Sequence, residues 1–125
     1  GRLAEIIVLD QFSRNMFRGE RGAFASDPVA LTLAQEAVAA GADVALPTEE
    51  RVFIYMPFMH SESKVIHEVA EKIFRVNAPG SNYQFELRHK AIIDRFGRYP
   101  HRNAILGRES SAEELAFLTE PGSSF

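Results

Sequence analysis

Apolar residues in this chain recur at intervals of three and four, proline and glycine stand between successive runs, and no segment keeps a period-two alternation. Such a chain buries stripes on helices, so the fold class it dictates is all-α, with about six helices and no strands. Leu3, Ile6, Ile7, Leu9 and Phe12 give a first helix a broad apolar face from about Leu3 to Asn15. Asp27-Pro28 announces a second: Asp27 as its cap, Pro28 at the first position, then the alanine-rich run Val29 to Ala40, closed by Gly41. Thr48, followed by Glu49 and Glu50, starts a third helix through Val52, Phe53, Tyr55 and Met56, which Pro57 should kink or end near Met59-His60. Ser61 can cap a fourth, with Val65, Ile66, Val69, Ala70, Ile73 and Phe74 on one face, until Asn77-Ala78-Pro79-Gly80 breaks it. A fifth runs from Asn82 through Phe96 to Gly97, and Ser111 to Glu114 has the form of a capping box opening the last.

At 125 residues, against roughly 100 to 200 per domain, residues 1–125 are expected to form a single helical domain. The chain opens on Gly1 with no Met, and its first helix has no preceding cap. It is therefore expected to be the carboxy-terminal portion of a longer domain. Zero cysteines exclude a disulfide framework, thiolate metal sites and a cysteine nucleophile, and they fit a reducing, cytoplasmic compartment. No apolar run approaches the ~18 residues of a membrane span, so no membrane association is expected.

The net charge of −3 conceals a segregation, because Arg88 to Arg108 holds six Lys/Arg and one Asp while everything else is acidic. An acidic remainder repels a phosphate backbone, which argues against nucleic acid as a partner. A local anion site survives that objection.

Val8 to Gly19 overlays Ile92 to Asn103 without gaps, with four identities in twelve positions. Both copies read as helix ends in which Asp10 precedes Arg14, and Asp94 precedes Arg98, by four residues, a pair that can close on one helical face. Either an internal duplication or two independently well-finished helix ends would produce the match. The loops after them carry Arg14, Asn15 and Arg18, then Arg98, His101, Arg102, Asn103 and Arg108. Arginine's planar fork suits carboxylate and phosphate, and loops on a rigid scaffold are where sites sit.

His60-Ser61-Glu62 occupies a third helix junction. A metal site would need partners such as paired cysteines, which are absent, so no metal is expected. Acid/base chemistry by His60 with Glu62 as its orienter is one reading, and a capped helix start is the other. His67 and His89 fall within helices and read as surface or core-edge residues.

The segments Leu9-Asp10-Gln11-Phe12-Ser13-Arg14-Asn15, His60-Ser61-Glu62, Phe96-Gly97-Arg98-Tyr99-Pro100-His101-Arg102-Asn103 and Leu106-Gly107-Arg108-Glu109-Ser110 resemble the bacterial domain-of-unknown-function 924 family. The resemblance implies a tetratricopeptide-like α-α superhelix with further helices at the amino end. It implies no established reaction. Ser13 stands where the family commonly has proline, which loosens the first loop.

The leading functional expectation is a domain binding a small anionic ligand or a peptide carboxylate, without a cofactor. Its site would be Arg14, Asn15, Arg18, His60, Glu62, Arg98, His101, Arg102, Asn103 and Arg108, supported by Asp10 and Asp94. One alternative is a hydrolase or transferase with His60 or His101 as general acid/base. The other is a structural module held by interhelical Arg-Asp pairs.

Overall fold

In the computed structural model, which describes residues 1–125, the first helix, α1, consists of Arg2–Ile7, a π-helical turn Val8–Phe12 and Ser13–Met16. Backbone angles at Ile7 and Ser13 stay helical, so the three pieces run on without a break. The wider turn rotates the register. Asp10 points inward at 1% exposure, while Phe12, expected on the buried face, is 53% exposed. Helical bulges of this kind are frequent at functional sites.

The remaining helices are α2 (Asp27–Ala39), α3 (Thr48–Met59), α4 (Lys64–Asn77), α5 (Ser81–Phe96), α6 (Asn103–Leu106) and α7 (Ala112–Phe117). Seven helices replace the expected six or so, because the short α6 follows a 3-10 turn at Pro100–Arg102. Three expected caps shift. Ser26 and Pro47, rather than Asp27 and Thr48, occupy the N-cap positions of α2 and α3. For α4 the capping oxygen is that of Ser63, which accepts from Ile66 N, and Ser61 lies in the loop before it. The Pro57 expectation holds: α3 stops at Met59, with His60 as its C-cap. Gly97 ends α5 with φ of +73°, and Ser111 and Glu114 form the reciprocal capping box at α7.

Consecutive helices pack on one another, α2 on α3, α3 on α4 and α4 on α5, while α1 lies against α2 and α3. Ala30, Ala34 and Ala37 are the buried face of α2, and their small side chains permit close approach. The main core joins Ile6, Ile54, Tyr55, Phe58, Ala70 and Phe74, with the Tyr55 and Phe74 rings edge-on at 5.6 Å. Burying a side chain the size of Phe74 contributes roughly 2 to 3 kcal/mol. A smaller core, Ile92, Ile93, Tyr99 and Phe117, seats the chain after Gly97.

One polar pair lies wholly inside. His67 and Glu86, on α4 and α5, have no exposed surface and meet at 2.7 Å, so His67 is not the surface or edge residue its sequence context suggests. His67 Nε2 faces the Ser61 carbonyl at 2.7 Å and therefore carries a proton. A second proton lies between Nδ1 and Glu86 Oε1. Burial pushes the Glu86 carboxyl above its usual range. Whichever partner holds that proton, the pair is neutral overall, which is what burial in a low-dielectric interior requires. His89 is buried as well, at 8% exposure. No helix is long and apolar enough to cross a membrane.

Candidate functional site

The inward rotation of Asp10 builds the first part of the site. Its Oδ1 accepts from Arg14 Nη1 and from His60 Nδ1, both at 2.8 Å, and Gln11 Nε2 donates to Oδ2. Arg14 turns the rest of its fork to Asp27, with Nη1 and Nη2 each 2.8 Å from a carboxylate oxygen. Asp27 thus spends its side chain on a bidentate bridge between α1 and α2 instead of capping α2. Burial tends to raise the Asp10 pKa, but the hydrogen bond from His60, with the Arg14 charge and the Gln11 hydrogen bond, overcomes it and holds the carboxyl below the usual range.

Because Asp10 is a carboxylate, His60 Nδ1 must be the donor toward it. Burial outweighs the pull of Asp10 and holds the imidazole below its ordinary pKa, so His60 is neutral at pH 7 and its Nε2 bears a lone pair. Nε2 has no hydrogen-bond partner in the protein and is not among the buried unpaired atoms. The expected orienter of His60, Glu62, is engaged elsewhere. The positioning group is Asp10, a partner no local spacing could reveal across fifty residues.

Arg102 forms the opposite wall. It is 4% exposed, donates from Nη2 to the His60 carbonyl at 2.9 Å, and lies over the Phe24 and Tyr99 rings at 4.4 and 4.8 Å. Its Nη1 is 3.7 Å from Asp27 and 3.8 Å from Glu62, and its Nε is buried without a partner. His60, Arg102 and Phe24 separate two hollows of about 590 and 390 Å³. The larger falls within the roughly 300 to 1,000 Å³ of small-molecule sites.

The larger cavity is lined by six of the ten residues singled out in the sequence: Arg14, Asn15, Arg18, His60, His101 and Arg102. Phe24, Met56, Met59, Phe85, Ile105 and Phe125 supply apolar wall, and Gln11 and His89 add polar groups that the sequence reading did not include. Among the arginines in this wall, Arg18 alone has no carboxylate partner; its Nη2 donates only to Asn15 Oδ1 at 3.3 Å. Burial lowers the His89 pKa to about 3 and that of His101 to about 4, the latter assisted by the Arg102 charge, so both imidazoles are neutral.

Arg98, Asn103 and Arg108 do not line this cavity. Arg98 forks onto Glu114 at 2.8 and 3.0 Å. Arg108 forks onto Glu62 at 3.0 Å from each nitrogen, and Glu62 also accepts from Tyr99 N at 2.7 Å. Asn103, buried, donates to Glu114 and Ser110 and accepts from Arg108. Together these groups clasp the 99–114 segment to the loop before α4. Glu62 also borders the smaller hollow. The expected Asp94–Arg98 pair does not form: Gly97 reverses the backbone between them, and Asp94 pairs with Lys90 at 2.8 Å instead. The two matching segments therefore place their charges differently. No group of three or more His, Asp or Glu side chains is arranged to hold a metal ion.

Fold and site together define an all-α domain folded around a hollow with arginine and neutral histidine in its wall. The family model for bacterial proteins of unknown function, DUF924, matches residues 1–122, and the chain belongs to that family. It is similar to the solved structure of a protein of unknown function from Agrobacterium tumefaciens, at 41% identity and a TM-score of 0.90. The match covers 94% of this chain and 66% of that one, so this chain spans just under two thirds of that neighbour's length. No curated protein matches the chain.

Proposed function

We propose that the larger cavity binds a small anionic molecule, or a peptide carboxylate, that also carries apolar surface. The observation behind this reading is the Arg18 guanidinium, beside Asn15 and without a carboxylate partner, in a 590 Å³ hollow whose other arginines, Arg14 and Arg102, are paired and whose remaining wall is largely aromatic, aliphatic and neutral imidazole. Arg14 and Arg102, bridged by Asp27, hold the wall in shape, and Arg18 supplies charge no carboxylate cancels. Binding of this kind costs little reorganisation when its polar groups are already fixed. The consecutively packed helices would then form part of a tetratricopeptide-like superhelix in a cytoplasmic protein, with short connections favouring antiparallel neighbours.

Melting of the protein against a panel of inorganic phosphate, benzoate and short peptides tests the reading. Stabilisation by an anion that Arg18→Ala abolishes, without lowering the ligand-free melting temperature, supports it. Equal stabilisation of both proteins, or none by any anion, contradicts it.

The Asp10–His60 contact favours a second, hydrolytic reading. A neutral imidazole oriented by a buried carboxylate can take a proton from water through Nε2 and return it to a leaving group. Turnover in a substrate screen that survives both His60→Ala and Asp10→Asn would exclude this role.

A further inference from the structure

The residues after α7 turn at Gly122 and bring Phe125 back over the cavity. Its ring centroid lies 4.0 Å from that of His89, 4.4 Å from His101 and 5.0 Å from Tyr99. Three rings thus surround one, Tyr99 within the roughly 4.5 to 7 Å at which aromatic pairs attract and the two imidazoles closer still. Phe125 is nevertheless 52% exposed, while His89 beneath it is buried. Beyond Glu120 the only side-chain hydrogen bond is Ser123 Oγ to the Leu118 carbonyl at 3.1 Å, and nothing bonds Ser124 or Phe125.

We propose that this slot is the aromatic subsite of the cavity: the ligand carries a planar ring that replaces Phe125 against His89, His101 and Tyr99, and its anionic group reaches Arg18. The inference rests on the anion-binding reading and narrows the ligand to an aromatic carboxylate or phosphate. Several features of the slot favour a flat, uncharged ring. His89 Nδ1 is spent on the Phe85 carbonyl at 2.7 Å, which fixes the orientation of that imidazole. His101 contributes a second imidazole, neutral because burial lowers its pKa to about 4. Tyr99 is locked by its hydroxyl on the Met59 carbonyl. Release of the Phe125 side chain breaks no hydrogen bond.

Calorimetry with phenyl phosphate and inorganic phosphate, on the wild type and Phe125→Ala, tests the proposal. With its competitor ring removed, Phe125→Ala should bind phenyl phosphate roughly three- to tenfold more tightly, with inorganic phosphate unchanged. Phe125→Leu, which keeps apolar bulk without a ring, should lie between. If the variants fold poorly, the wild type suffices: phenyl phosphate should shift the His89 and His101 ring-proton resonances by ring current, and inorganic phosphate should leave them in place. Inorganic phosphate binding with no advantage for the phenyl ester, or with no gain on removing Phe125, overturns the aromatic subsite and leaves the anion reading intact. Binding of neither anion by any of the proteins overturns both.

Discussion

Asp10 and His60, fifty residues apart, meet at 2.8 Å because a π-helical turn rotates the aspartate into the protein beneath the end of α3. Removing the carboxylate leaves Arg14 and His60 facing a buried gap. Asp10→Ala should therefore cost about 3 to 5 kcal/mol in urea unfolding, the range for breaking a buried charged cluster from one side. Asp94→Ala, which removes only an exposed partner of Lys90, should stay within about 0.5 kcal/mol. Similar losses in the two variants would contradict the unequal roles described for them.

Asn103 serves Glu114, Ser110 and Arg108 at once and is almost fully buried. Asn103→Ala should destabilise by about 2 kcal/mol, because the groups left behind lose partners out of reach of water. Faster hydrogen exchange confined to residues 99–114 would show that the clasp, rather than the main core, has loosened.

Gly97 adopts φ of +73° at the end of α5, with open space around the position of an added Cβ. Gly97→Ala thus isolates backbone strain from packing. The expected loss is about 1 to 2 kcal/mol, read from the thermal midpoint. No loss would mean that the turn relaxes to another geometry.

Stability should fall on the acid side as the buried imidazoles resist protonation. His60, His89 and His101 are all held below the ordinary imidazole pKa by burial. Below about pH 6.5 the unfolded chain takes up protons that the folded chain refuses, so unfolding gains ground as pH drops. The His101 contribution is complete above that point and is lost progressively down to about pH 4. Urea midpoints of His101→Asn should show a shallower slope between pH 6.5 and 4 than those of the wild type. Unaltered slopes would mean that the imidazole titrates normally in the folded state.

The amino-acid pattern discloses what depends on neighbours in sequence. The end of α5 at Gly97, the stop of α3 after Pro57 and the Ser111–Glu114 box all follow from local stereochemistry and hydrogen bonding, and all appear in the fold. Errors arise where a side chain has two uses. Asp27 looks like a cap, but Arg14 offers it a charge-assisted bidentate bond that no cap can match. Ser61 and Ser63 are equivalent as letters, and only the course of the loop decides that Ser63 caps. Phe12 fits the apolar stripe of a regular helix, and the π turn moves it out of register. The clustering of Arg14, Asn15, Arg18, His60, His101 and Arg102 at one cavity was approachable through their places at or just beyond helix ends, although Arg14 and Asn15 stand in the last turn of α1 and not in the loop expected for them. The diversion of Arg98 and Arg108 onto Glu114 and Glu62 was not, since those carboxylates lie sixteen and forty-six residues away.

The most direct test observes the arginines themselves. In nitrogen-15-labelled protein at neutral pH, titration with phosphate should move the side-chain Nε–Hε resonance of Arg18, with smaller displacements at Arg14 and Arg102. Arg98 and Arg108, whose forks are filled by carboxylates, should hold still. Shifts confined to Arg98 and Arg108, or no shift at any of the five, would contradict an anion site in this cavity.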